Sequence, residues 1–308
     1  MTHFIAEFTT NHMGNYNVLE EMARKAKEAG ADFIKMQKKN IETYYTQEKL
    51  DQPFRSPYGK TYRDYRKIFE FSMEDFQRFD RLCKDINIPW FTTVQDIKSL
   101  KEMLRFNLPM YKIASSSARD WKFLQIISKL IPITREIVVS VGGSTLEDVK
   151  AILDHLPRHK IILQHCVAEY PCPLERLRLG NIEILKELFE SDRVKIGYSG
   201  HEEGFSVPIA LAKKYDLHTI EKHFCLSRHS FVHHIECSLE PDEFKSMIER
   251  SSDPNFFVQL PGDAWKTSFG MSKIEEEFLQ KQTYGNTYLG ESSKLGNGKK
   301  DKEVFRSF

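Results

Sequence analysis

The sequence predicts an α/β protein built as a closed (β/α)8 TIM barrel, with a long insertion after the second strand and a short carboxyl-terminal tail. Three observations lead there. Short apolar runs rich in β-branched and aromatic residues alternate with longer segments of helical period. The alternation repeats eight times, which favours parallel strands and a closed barrel over an open sheet. The strand runs also end in polar residues, and α/β enzymes build their sites at the carboxyl ends of strands.

Strands are expected near 4–8, 33–36, 90–93, 110–114, 136–140, 160–165, 194–198 and 218–222. Helices are expected near 17–29, 73–86, 96–106, 120–130, 145–156, 181–190, 206–215 and 241–250. Val18, Met22, Ala26 and Ala29 recur at helical spacing before Gly30, and Ser72-Met73-Glu74-Asp75 reads as a cap leading into Phe76, Phe79 and Leu82. Residues 38–71 break the repeat with an aromatic and basic stretch too long for an ordinary βα loop, so a lid or substrate wall is expected there. The barrel domain is placed at 1–250. Residues 251–308 form an extension too short for a conventional second domain, with helical spacing returning at Ser272 to Leu279 before a tail carrying Gly290, Gly296 and Gly298.

The 308 residues carry 45 basic and 44 acidic side chains, a formal net charge of +1, which argues against nucleic acid as the main partner. Cys83, Cys166, Cys172, Cys225 and Cys237 are an odd, scattered set that indicates neither a disulfide framework nor a zinc site and fits a reducing cytoplasm. The start of the chain lacks a basic segment followed by a long apolar one, and no apolar run reaches membrane-spanning length. A cytoplasmic protein is therefore expected.

The strand ends present Glu7, then Lys35 and Gln37, Thr92 and Thr93, Lys112 with Ser115-Ser116-Ser117, Ser140 with Gly142-Gly143, and Gln164-His165. His201 and His223 end the last two strands, where two imidazoles can share one metal ion. Paired lysines with hydroxyls and glycine-bounded turns suit a small, strongly anionic ligand, and the Asn, Gln and Glu side chains suit a polyol.

Taken together, Glu7…Asn11-His12-Met13-Gly14, Lys35-Met36-Gln37, Tyr111-Lys112-Ile113-Ala114-Ser115, His165-Cys166…Tyr170-Pro171-Cys172-Pro173, Gly197-Tyr198-Ser199-Gly200-His201 and Glu221-Lys222-His223-Phe224 resemble the sialic acid synthase family across about residues 3–250. The resemblance implies a transferase that condenses phosphoenolpyruvate with an N-acetylated amino-sugar aldehyde. The products would be a 3-deoxy-2-keto nonulosonic acid and phosphate, for surface-polysaccharide biosynthesis. It further implies a cytoplasmic homodimer and a divalent manganese or magnesium ion on His201 and His223. Lys35, Thr93, Lys112, Ser115, Ser140, Ser199 and His223 match its phosphoenolpyruvate-binding positions, and Glu7, Gln37, Tyr170 and His234 fall on the sugar side. Glu7, Lys35, Lys112 and His223 are the expected catalytic groups.

Departures from the family pattern cluster on the acceptor side. Ser115-Ser116-Ser117 stands for S-G-E, Ser140-Val141-Gly142-Gly143 for S-T-G-M, Ser199-Gly200-His201-Glu202 for S-D-H-T, and Val232-His233-His234 for G-P-D. Ala168 replaces a polar residue. The resemblance implies an antifreeze-like domain after the barrel; Leu289 to Ser307 weakly resembles the linker before it, and residues 1–308 are expected to carry no counterpart of the domain itself, whether it is lacking by nature or removed. Two other readings stay open: a related synthase with another aldose acceptor, and a non-catalytic sugar- or phosphate-binding barrel.

Overall fold

Alternate residues of a strand point to opposite faces, so each strand of this chain writes a two-step code for the barrel interior. In a computed structural model, which describes residues 2–230 and 232–282, the strands are β1 (His3–Glu7), β2 (Phe33–Lys38), β3 (Trp90–Val94), β4 (Met110–Ile113), β5 (Glu136–Ser140), β6 (Ile161–His165), β7 (Val194–Gly200) and β8 (Thr219–Phe224). All pair in parallel with their neighbours, and β1 closes the barrel on β8 with Glu7 opposite His223. Ile5, Phe91, Met110, Val138 and Ile162 form a buried cluster with Phe33 packed against it. Two residues further along the same strands stand Glu7, Thr93, Lys112, Ser140, Gln164 and Lys35. The interior is thus apolar at its floor and polar at its carboxyl end. Full burial of each floor side chain contributes about 1.5–3 kcal/mol.

The outer ring comprises α1 (Tyr16–Glu28), α2 (Met73–Asp85), α3 (Ile97–Met103), α4 (Trp121–Leu130), α5 (Leu146–His155), α6 (Asn181–Phe189), α7 (Ser206–Lys214) and α8 (Pro241–Ser252). Helix α1 buries Leu19, Met22, Ala23 and Ala26 at helical spacing. Helix α2 starts at the expected cap, where Ser72 and Asp75 satisfy each other's backbone amides. Strands β7 and β8 run two residues beyond the expected ends. A two-residue strand, Ser238–Leu239, pairs with β8.

The insertion after β2 has its own architecture. Short helices Ile41–Tyr44 and Gln47–Asp51, a hairpin of Pro53–Ser56 and Gly59–Thr61, and a helix Tyr62–Ile68 follow in order. Asn40, Thr46 and Thr61 cap the three helices, while Ile41, Tyr44, Tyr45 and Leu50 form a buried cluster with Tyr62. Gly59 (φ 153°) is required at the turn, because a Cβ there would lie 2.3 Å from Asp64 Cβ.

The extension past residue 251 packs back onto the barrel. Leu179 N donates to Ala264 O at 2.8 Å, and Asn181 exchanges two hydrogen bonds with Ser268, both 2.8 Å. The helical spacing at 272–279 is realised as α9 (Lys273–Gln282). Its Glu275 is fully buried against Arg178 and accepts from Ala168 N at 3.2 Å. Gly290, Gly296, Gly298 and the segment Leu289 to Ser307 lie outside the described residues. The five cysteines are buried and free. No helix among the described residues is long and apolar enough to cross a membrane.

Candidate active site

The polar ends of the strands open into one cavity of about 400 Å3, lined by Glu7, Lys35, Gln37, Thr93, Lys112, Ser115, Ser140, Tyr170, Ser199, His201, His223 and His234. Every residue expected at the site is therefore in one place. The broader expectation that all polar strand ends converge there fails for Thr92, Gln164 and His165. Thr92 and His165 fall one residue out of phase with the inward face, and His165 Nε2 pairs with Leu177 O at 2.8 Å. Gln164 points inward but is held at the barrel axis by Thr219 Oγ1, 3.2 Å away. Gly197 makes room for that contact, since a Cβ there would sit 2.2 Å from Thr219 Oγ1.

At the floor of the cavity four charged side chains form a chain of ion pairs. Lys35 Nζ lies 2.9 Å from Glu7 Oε2 and 3.2 Å from Glu221 Oε1, and Lys112 Nζ lies 2.7 and 2.8 Å from the two Glu221 oxygens. Thr93 Oγ1 accepts from Lys35 at 2.9 Å, and Gln37 Nε2 donates to Glu7 Oε1 at 2.6 Å. All four charged groups are buried. Burial alone would raise the Glu221 carboxyl, yet Lys112 and Lys35 outweigh it and hold the group at about 2. Glu7 goes the other way: burial raises it, Lys35 opposes, and the neighbouring Glu221 charge adds to the rise. The result is one firmly ionised carboxylate between the two lysines and, beside it, one carboxyl pushed above its ordinary range.

The imidazoles form the adjoining wall. The rings of His201 and His223 are 5.6 Å apart between centroids, and Tyr170 lies between His201 (4.0 Å) and His234 (4.3 Å). His201 Nδ1 sits 2.6 Å from Val167 O, the arrangement in which Nδ1 donates and Nε2 keeps its lone pair. His223 Nδ1 is buried and has no hydrogen-bond partner. Burial pushes His201 down to about 3, and His223 well below its ordinary value. Both rings are neutral at physiological pH. Among the described residues no three or more His, Cys, Asp or Glu side chains gather into a metal cluster.

The departures from the family pattern have structural answers. Lys222, one residue out of phase with Glu221, points into the barrel wall and donates to Glu202 O at 2.6 Å and Glu202 Oε1 at 3.1 Å, while Tyr198 donates to the other Glu202 oxygen at 2.7 Å. Gly200 leaves space for that carboxylate: a Cβ would lie 2.7 Å from both oxygens. Ser115 Oγ accepts from Gly142 N at 3.1 Å, which fixes the hydroxyl at the cavity edge. Ser116 lines the cavity, whereas Ser117 is fully buried and does not.

Sequence reasoning quoted Glu221 within a motif but gave it no role. Its signal was the alternation in Glu221-Lys222-His223, which places Glu221 and His223 on one face. It also missed Cys166, whose thiol lies 3.1 Å from Ser115 Oγ, and Leu279 of the extension, which contributes to the lining. The insertion supplies one side of the cavity through Lys39, Tyr44, Tyr45, Lys49, Phe54, Tyr62 and Arg66.

A closed parallel barrel whose carboxyl-terminal mouth gathers lysines, carboxylates and imidazoles has the layout of a barrel enzyme's active site. Residues 22–255 match the NeuB family, and the chain belongs to it. It is 31% identical over 250 residues to an N-acetylneuraminate-9-phosphate synthase of Drosophila melanogaster, covering 80% of this chain and 66% of that protein. It is 28% identical over 256 residues to the N,N'-diacetyllegionaminic acid synthase of Campylobacter jejuni, covering 80% and 74%. The chain thus spans about two thirds to three quarters of the length of these relatives. In fold it resembles a sialic acid synthetase from Leptospira borgpetersenii solved with citrate, with TM-score 0.69, 23% identity, and coverage of 84% of this chain and 87% of that one. A spore coat polysaccharide biosynthesis protein of Bacillus subtilis gives TM-score 0.73 at 24% identity, covering 90% and 76%.

Proposed function

We propose that the cavity condenses phosphoenolpyruvate with an N-acetylated amino-sugar aldehyde, giving a nonulosonic acid and inorganic phosphate. The observation that carries this reading is the buried Glu7–Lys35–Glu221–Lys112 chain facing two neutral imidazoles. Two ammonium groups suit a donor with a carboxylate and a phosphate at adjacent carbons. Glu221 lies against both lysines before the donor arrives, opposing the burial that pushes Lys112 down and, with Glu7, holding Lys35 up, and the hydroxyls of Thr93, Ser115, Ser140 and Ser199 offer donors to the donor's oxygens.

The overall change forms one carbon–carbon bond between the enol methylene and the aldehyde carbon. The aldehyde oxygen takes a proton, water adds at the former enol carbon, and that carbon expels phosphate by C–O cleavage. Glu7, with its raised carboxyl and its Gln37 contact, is placed to deliver that proton. Tyr170, tilted between the rings of His201 and His234, walls the acceptor side. His201 Nε2 and the unpartnered His223 Nδ1 are suited to a loosely held manganese or magnesium ion that leaves positions for water and sugar oxygens. Such an ion supplies Lewis-acid polarisation of the aldehyde. A homodimer in the cytoplasm belongs to the same reading.

Phosphate release is the test. Release that requires phosphoenolpyruvate, N-acetylmannosamine and a divalent ion together, with a product mass equal to donor plus acceptor plus water minus phosphoric acid, is the expected result. Absence of release with every hexosamine or aldose supplied would overturn it.

A further inference from the structure

One peptide unit in the loop after β6 is held from both sides. Val167 O lies 2.6 Å from His201 Nδ1, and Ala168 N, in the same trans amide plane, donates to Glu275 Oε1 at 3.2 Å. We propose that Glu275, in the extension, is a positioning residue for His201, acting through the peptide unit that joins Val167 to Ala168. This inference rests on the reading above, in which His201 presents Nε2 to a metal ion.

The line runs from carboxylate to amide to imidazole with a hydrogen bond at each step. In a trans peptide the C=O and N–H point in opposite directions, so a group that fixes the N–H also aims the carbonyl. An anion at the N–H polarises the amide and makes its oxygen a better acceptor, an effect that is stronger where water is excluded. Val167, Ala168, His201 and Glu275 are all buried. The His201 backbone is fixed separately, because its carbonyl oxygen accepts from Cys172 N and Cys237 Sγ, both at 2.9 Å. With backbone and Nδ1 both held, Nε2 is the ring nitrogen left to face the cavity.

Docking of the extension does not account for Glu275. The bond from Leu179 N to Ala264 O, the Asn181–Ser268 pair and a bond from Gly270 N to Ser144 O at 2.9 Å already tie this segment to the barrel. A buried ion pair adds little stability over apolar side chains of the same volume. What the carboxylate supplies is direction. Its Oε2 is held by Arg178 and by Ser272 N at 2.9 Å, and Arg178 is itself tied to Gly270 O at 2.9 Å, which aims Oε1 at Ala168 N. The loop held in this way also carries Cys166 and Tyr170 into the cavity wall.

NMR of the full chain carrying isotope-labelled histidine, without added metal, reads the His201 ring directly, its signals assigned by their loss in His201→Asn. Calorimetric titration with manganese is run in parallel. The native chain should hold His201 as the Nδ1–H tautomer, with a ring proton that exchanges slowly with water. The double variant Arg178→Met, Glu275→Met removes both charges together and leaves neither buried alone. In it that exchange should quicken about tenfold and manganese affinity should fall about tenfold. Glu275→Gln, whose amide oxygen can still accept from Ala168 N, should move both readouts the same way by about threefold, and it serves where the double variant folds poorly. An Nε2–H tautomer in the native chain, or ring-proton exchange untouched by the substitutions, would overturn the proposal. Native manganese affinity in both variants would also overturn it while leaving the ion in place. Slow exchange that depends on Glu275, in a chain that binds no manganese, would retain the positioning of His201 and remove the ion from the reading above.

Discussion

Replacing Glu221 with Gln tests the charge chain at its centre. The substitution keeps the side-chain volume and removes the one carboxylate shared by Lys35 and Lys112, whose nitrogens lie 3.2 and 2.7 Å from Oε1. Lys35 keeps the Glu7 carboxylate at 2.9 Å, whereas Lys112 keeps only neutral acceptors, the amide oxygen of the new Gln and the Ser199 hydroxyl at 3.4 Å. One buried ammonium is thus left without a counter-charge, which costs about 3–5 kcal/mol when a buried pair loses one member. With a urea m-value of about 3 kcal/mol/M, the unfolding midpoint should fall by roughly 1 M or more. The exposed Glu187→Gln should move it by less than about 0.5 kcal/mol. Phosphoenolpyruvate at about 100 times its Kd adds roughly 2.7 kcal/mol to any protein that binds it only when folded. At one fixed phosphoenolpyruvate concentration the gain should be larger in Glu221→Gln, where the donor's own charge replaces the lost carboxylate and tightens its binding. A midpoint shift equivalent to less than about 1 kcal/mol, with donor binding unaltered, would refute the reasoning.

His223→Asn should weaken manganese binding, followed by calorimetry, about tenfold or more; unaltered binding would remove the imidazole pair as the ion's seat. Gly200→Ala would drive a Cβ to 2.7 Å from the Glu202 oxygens and should lower stability by about 1–3 kcal/mol in thermal or urea unfolding. His12 and His165 are pushed by burial to about 3 and about 4. Unfolded imidazoles protonate near 6.5, so the unfolded chain binds more protons below that pH. Stability is then full above pH about 6.5 and falls on acidification towards these folded values, by about 2 kcal/mol per imidazole at pH 5. Equal urea midpoints at pH 7 and pH 5 would contradict this.

Much of the barrel was legible because one rule, a polar residue two places beyond an apolar one, recurs on strand after strand. Ile5 and Glu7, Phe91 and Thr93, and Met110 and Lys112 show it directly. Glu221 received no role because adjacent charges of opposite sign in Glu221-Lys222 do not by themselves show which of the two faces the interior. In the fold the two point to opposite faces, and Lys222 is claimed by Glu202. The lining residues of the insertion carry no periodic signal. Arg66 and Tyr62 reach the cavity only because three capped helices and a hairpin fold back over the mouth, which depends on tertiary contacts. The same holds for Leu279 and Glu275, whose role depends on the extension returning to the loop at Ala168.

The most direct measurement is a calorimetric titration of phosphoenolpyruvate into the native chain and into Lys112→Met. Saturable binding by the native chain, weakened about 30-fold or more by the substitution, is expected, since a charged hydrogen bond to the donor is removed. Absence of binding, or equal affinity in the two proteins, would contradict the assignment of this cavity to an anionic three-carbon donor.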